Sequence, residues 1–148
     1  MSEATIRAKI KTIMEGVSGI GAVHDYERYS RSIASFFELM RSGGIVNGWV
    51  IHRSSAPATR DNMPTMMRHH KFRISGLYEI NDTNASEKTL QALIDAIFTD
   101  FAADHTLGGT CLSCDPLQVD DIDVEEFGNT LYHTVELSLV CHERVTYS

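Results

Sequence analysis

Apolar residues recur along this chain with two spacings, one near 3.6 residues and one of 2, in separate blocks. Ile6, Ile10, Ile13, Met14 and Val17 stand at offsets 0, 4, 7, 8 and 11. That is one face of a helix, and it predicts a helix over 3–17 that Gly16, Gly19 and Gly21 break. A second, shorter helix is predicted over 31–41. Ser30 is its expected N-cap, Ile33, Phe36, Phe37 and Met40 form its apolar face, and Gly43-Gly44 ends it. The strongest helical pattern covers 86–104, where Leu90, Leu93, Ile94, Ile97, Phe98 and Phe101 share a face. Asn84 with Glu87 three residues on has the form of a capping box, and Gly108-Gly109 follows the end.

The period of 2 marks strands. Residues 70–80 alternate, with Phe72, Ile74, Gly76, Tyr78 and Ile80 on one side and Lys71, Arg73, Ser75 and Glu79 on the other. Residues 130–142 alternate as well: Leu131, His133, Val135, Leu137, Leu139 and Cys141 share a face. Further strands are expected over 22–27, over 46–52 around Trp49, and over 117–127, where Val119, Ile122 and Val124 are apolar points in an acidic run. Asn47-Gly48 is a hairpin-turn dipeptide, but Gly43-Gly44 leaves no room for a first arm, so it is read as strand interior. Residues 53–68 are polar, contain Pro57 and Pro64, and show no period, which predicts a long mobile loop. The expected order is α-β-α-β-β-α-β-β. It predicts one α+β domain over 1–148, with a mostly antiparallel mixed sheet and helices packed on one face.

Composition adds limits. A chain of 148 residues, 43% apolar and 22% charged, is long enough to bury a core of its own. No apolar run approaches the ~20 residues needed to span a bilayer, so no membrane partner is expected. The segment Met1–Thr5 lacks a basic stretch followed by an apolar one, so synthesis and folding in a cytoplasm are the expectation. A net charge of -7 argues against gripping nucleic acid, yet suits a wall that DNA slides past. Three cysteines, an odd number, argue against a disulfide framework.

Chemistry-bearing clusters are few. Cys111 and Cys114 form a CxxC, and with Cys141-His142 they would offer zinc three thiolates and an imidazole. Adjacent residues on a strand point to opposite faces, so Cys141 and His142 should not reach one ion. The CxxC also lacks the strand-to-helix setting of a thioredoxin-type motif. The expectation is therefore free thiols, buried or half-buried, with no metal and no cofactor. Asp120, Asp121, Asp123, Glu125 and Glu126 lack EF-hand spacing and read as a solvated or interface strand. His69 and His70 adjoin the predicted loop, while His24, His52, His105, His133 and His142 are scattered, with no HExxH. His133, on an apolar strand face, is expected to be a hydrogen-bonded core or sheet-end histidine. No GxSxG, P-loop or GxGxxG occurs, and no catalytic residue is expected.

Two features point to protein contacts. Met63, Met66 and Met67 are adaptable apolar anchors in a polar stretch. Residues 53–73 carry Arg53, Arg60, Arg68, Lys71 and Arg73 against one acid, Asp61, whereas 115–126 carry Asp115, Asp120, Asp121, Asp123, Glu125 and Glu126 and no base. Opposite segments on one chain suit head-to-tail contacts between subunits, or contacts with each other inside one subunit.

The run of elements resembles phage tail-terminator and minor tail protein U-like families. The resemblance lies in the opening helix IRAKIKTIMEGVSGIGAVHDYERY, the strand VNGWVIHR around Trp49, the strand KFRISGLYEI, the helix LQALIDAIFTDFAADHTLGGT, and above all the ending NTLYHTVELSLVCHERV. It implies an α+β virion subunit with no enzymatic activity, assembling with itself as a hexameric ring. Such a ring caps the tail tube protein, then presents a surface to the head–tail connector, and DNA passes through it without specific binding. Another neck subunit is a close variant. A small zinc-binding enzyme or regulator built on Cys111, Cys114 and Cys141 is the alternative from another class.

Overall fold

The computed structural model describes residues 2–28 and 32–146, the Ile33 side chain excepted. Helix α1 (Glu3–Glu15) is capped by Ser2, whose Oγ accepts from the Thr5 N–H at 3.2 Å, and it buries Ile6, Ile10 and Met14. A short strand β1 (Ala22–His24) follows. Helix α2 (Ile33–Leu39) is capped by Ser32 rather than by Ser30, which lies outside the described residues. Strands β2 (Arg41–Ser42) and β3 (Ile45–Ser55) form a hairpin through Gly43-Gly44. Both glycines have positive φ, 61° and 85°, as a tight two-residue hairpin turn requires. The glycine pair expected to stop α2 thus turns a hairpin, and Asn47-Gly48 sits inside β3 as read from the sequence.

Residues 53–68 are not a loop. The segment holds the end of β3, strand β4 (Ala58–Asn62) and the start of β5 (Thr65–Glu79), with only Ala56-Pro57 and Met63-Pro64 between strands. The missing alternation has a physical cause: every β4 side chain is exposed, so neither face demanded apolar residues. Main-chain pairing to residues 65–68 of β5 holds the strand instead.

A 3₁₀ turn (Asp82–Asn84) leads into α3 (Ser86–Ala102). The Asn84–Glu87 box does not form. Ala85 precedes the helix with φ 53° and no side-chain cap, while Asn81 Oδ1 accepts from the Asn84 N–H. Strands β6 (Ser113–Cys114), β7 (Gln118–Phe127) and β8 (Thr130–Thr146) complete the chain. Gly128 and Asn129, with φ of 57° and 66°, turn the β7–β8 hairpin.

The sheet runs β1-β3-β5-β8-β6, with β2 and β4 beside β3 and β5, and β7 beside β8. Among the described residues only the β1–β3 pairing is parallel, so the α+β, mostly antiparallel reading holds. One face carries Trp49, Ile51, Phe72, Ile74, Val135, Leu137, Leu139 and Cys141 and is covered by α1 and α3. Each fully buried side chain of this kind contributes roughly 1.5–3 kcal/mol. Trp49 lies directly opposite Gly76 on β5, and a Cβ at Gly76 would enter the indole ring. The Trp49 Nε1–H donates to Asn47 Oδ1 at 2.9 Å, and Asn47 Nδ2 donates to the Gly19 carbonyl at 3.0 Å, tying the turn after α1 to the sheet. The opposite face is not bare. Val46, Val50, Leu77 and Tyr132 form a smaller cluster there, covered by Phe36, Phe37 and Met40 at and just beyond α2 and by Phe127. Two helices cover one face, and the third packs on the other.

Candidate functional site

Among the described residues, four groupings of side chains lie outside ordinary core packing: a thiol cluster, two imidazole networks and an exposed edge strand.

The thiol cluster forms where α3 gives way to β6. The turn after α3 is pinned by buried Leu107, by the Gly108 N–H donating to Asp104 Oδ1 at 2.9 Å, and by the Cys111 N–H donating to the Thr106 carbonyl at 3.3 Å. The Cys114 N–H donates to the His105 carbonyl at 2.7 Å. Pairing of β6 with β8 then sets Cys114 directly opposite Cys141. The result brings Cys111 Sγ to 3.6 Å and Cys141 Sγ to 3.3 Å from Cys114 Sγ, and all three sulfurs lie within 4.8 Å of one another. No disulfide joins them. Burial, with Cys114 beside it, pushes the Cys111 thiol up to about 12. The hydrogen bond to Cys141 and burial push the Cys114 thiol well above the usual range. Both stay protonated at neutral pH, so neither is an activated nucleophile.

His142 points away from the sulfurs, as strand alternation demands. Its Nε2–H donates to Asp115 Oδ1 at 2.9 Å, and its Nδ1 lies 2.7 Å from His69 Nδ1. His69 Nε2 in turn lies 3.0 Å from Thr59 Oγ1. One set of neutral tautomers satisfies the whole row: Thr59 donates to His69, His69 to His142, and His142 to Asp115. The row stitches β4, β5, β8 and the segment after β6 across the face opposite α1 and α3. A second network lies on the helix-covered side. His70 is fully buried; its Nε2 lies 2.9 Å from Glu143 Oε1, and its Nδ1 lies 3.2 Å from Arg53 Nη1. His133, expected as a satisfied core histidine, is buried with its Nε2 3.0 Å from Ser86 Oγ.

The exposed edge is β7. Among the described residues it pairs with β8 alone, and all its residues but Phe127 are exposed. Register places Val119, Ile122 and Val124 opposite Leu137, Val135 and His133, on the helix-covered face but beyond the helices. These three are 43%, 38% and 45% exposed, and Leu131 beside them is 53% exposed. Phe98 adds to the same side: at 44% exposed, it is not the core residue the helical pattern predicted. At about 100° per residue it falls at the margin of the stripe, against a cleft shared with Phe101, His105, Cys114 and Leu117.

The charged residues singled out in the sequence divide by face. Asp121, Asp123 and Glu125 stand opposite Glu136, Thr134 and Tyr132, on the α2 side, and Glu126 faces the other way. Asp120 occupies the register shift. All six acids are exposed, and among the described residues only Asp115 meets a partner of opposite character, His142. Arg53, Arg60 and Arg68 lie on the helix-covered face, and Lys71 and Arg73 on the other. Among the described residues no ion pair joins the basic segment to the acidic one. Of the three methionines, Met63 is 85% exposed at the hairpin turn, whereas Met66 and Met67 are half-buried on opposite faces of β5.

No family model matches this chain, and no curated protein matches it. Among the described residues, no helix is long and apolar enough to cross a membrane.

The convergence of the thiols was half legible. The CxxC and Cys141 were visible as ligand types, and the opposed direction of His142 followed from alternation. The register that brings Cys141 against Cys114 needed the sheet. The two imidazole networks carry no motif; only the pairing of β5 with β8 joins residues 73 positions apart.

Proposed function

We propose that this protein is a ring-forming tail-terminator subunit of a tailed phage virion, assembled in the host cytoplasm, with no enzymatic activity. In this reading it ends tail-tube growth and offers a surface to the head connector. Two supports stand behind it: the resemblance in the order of elements, and edge strand β7. A ten-residue edge strand with an exposed apolar row presents unpaired backbone groups and apolar side chains together. Five acids and the register shift at Asp120 blunt this edge against indiscriminate pairing, yet its apolar row stays exposed, and a subunit of an assembly covers such a row with its neighbour. The opposite charge segments, which no ion pair joins to each other among the described residues, suit contacts that repeat head to tail around a closed ring.

Negative-stain images of the purified protein, with mass from light scattering, test this directly. Rings with a central hole are expected. The double variant Ile122→Lys/Val124→Lys should stay monomeric with an unchanged circular-dichroism spectrum, because both side chains are solvent-facing in the subunit. A parent protein that remains monomeric at high concentration, and does not cap tail tubes, would count against the terminator reading.

A further inference from the structure

Cys111, Cys114 and Cys141 have no part in the assembly reading, yet three separate anchors hold them together: the turn after α3, strand β6 and strand β8. We propose that these three thiols bind one zinc ion, with a water molecule as the fourth ligand on the side of the adjoining cleft.

Zinc–thiolate bonds of about 2.3 Å in a tetrahedron set neighbouring sulfurs about 3.8 Å apart. The Cys111–Cys114 and Cys114–Cys141 separations of 3.6 and 3.3 Å need only small side-chain rotations to open to that spacing. Three sulfur donors select a soft or borderline cation and reject magnesium and calcium, which take oxygen. Binding is balanced by release of the three thiol protons to solvent, and the two positive charges of the ion offset all but one of the three thiolate charges. The donor set also fixes the fourth position. Among the described residues no histidine, aspartate or glutamate joins the three sulfurs in one group of mutually close ligand atoms. His142, the candidate next in sequence, is committed to Asp115 and His69 on the other face. What adjoins the cluster instead, on the Cys114 side, is a cleft of about 250 Å³ lined by Cys114, His105, Asp115, Phe98, Phe101 and Leu117. Three protein ligands and a water is the pattern of an exchangeable zinc rather than a sealed structural one.

The inference stands whether or not the chain forms rings. The test uses the full chain, produced with zinc, kept reduced and dialysed exhaustively. Elemental analysis should find about one zinc per chain. All three cysteines should resist alkylation until a strong chelator is added. Cobalt(II) added to the chelated protein should give a thiolate-to-cobalt charge-transfer band, and imidazole should shift the visible bands by taking the water's place. Cys114→Ser should lose zinc, while His142→Ala, altered on the opposite face, should keep it. The measurements on the unaltered chain decide the matter even if Cys114→Ser does not fold. The proposal is overturned if folded, reduced protein carries no stoichiometric zinc, if it retains copper(I) but not zinc, or if two of the three cysteines form a disulfide in protein purified without oxidant.

Discussion

Glu143 is a buried carboxylate whose environment hangs on one neighbour. It is 4% exposed, and the ring of His70, fully buried, supplies its hydrogen bond at 2.9 Å. His70→Ala would leave the buried carboxylate without that donor, with Arg68 opposite it in register as a cation on the same face. The expected loss is on the order of 3 kcal/mol, the cost of stranding a buried charge. Urea unfolding of the variant measures it, and a loss close to zero would mean that Glu143 reaches water in the native protein. Gly76 poses the reverse problem, too much matter rather than too little. Gly76→Ala forces a methyl into the face of Trp49, so it should cost about 1–3 kcal/mol and shift the indole fluorescence. An alanine that raises stability would show that the ring has room to move. Neither effect could be read from the sequence, where Gly76 is one more small residue on an alternating strand and His70 one of a histidine pair.

At the scale of elements, α3 separates what periodicity decides from what it leaves open. Leu90, Leu93, Ile94, Ile97 and Phe101 are buried as their spacing requires, and Phe98 is not. Phe101→Ala should therefore cost about 3–5 kcal/mol, and Phe98→Ala less than about 1 kcal/mol. Thermal or urea unfolding of the two variants side by side checks this; equal losses would mean that α3 is rotated toward β7. The stripe was legible because a helix face is a local property of the chain. Its edge was not, because the width of the buried stripe depends on how far the sheet extends beneath the helix. The segment 53–68 carries no strand signal for a related reason. Alternation reports burial, and a strand exposed on both faces has none to report, so its main-chain pairing leaves no mark on the sequence.

Over the whole molecule, charge and edge geometry set the expected behaviour. Lys71 and Arg73 share the α2-side face with Asp121, Asp123 and Glu125, and in the proposed ring these are the groups taken to meet between subunits. Lys71→Glu with Arg73→Glu should weaken assembly, and adding Asp121→Lys with Asp123→Lys should restore part of it. Exposed pairs contribute only ~0–1 kcal/mol each, so the effect should be a shift in the concentration at which rings form, read by light scattering. It should fade as salt shortens the Debye length well below ~10 Å. Unchanged assembly of the first variant would remove these charges from the interface. The sequence by itself determined the α+β class, three helices, the long strands and the acidic run, because backbone periodicity and composition are written locally. Tertiary structure alone decided that α2 covers the second face, that β4 extends the sheet, that His69 meets His142, and that Cys141 closes on Cys111 and Cys114. Those outcomes depend on strand order and register, which are fixed by burying one shared core rather than by any segment's own pattern.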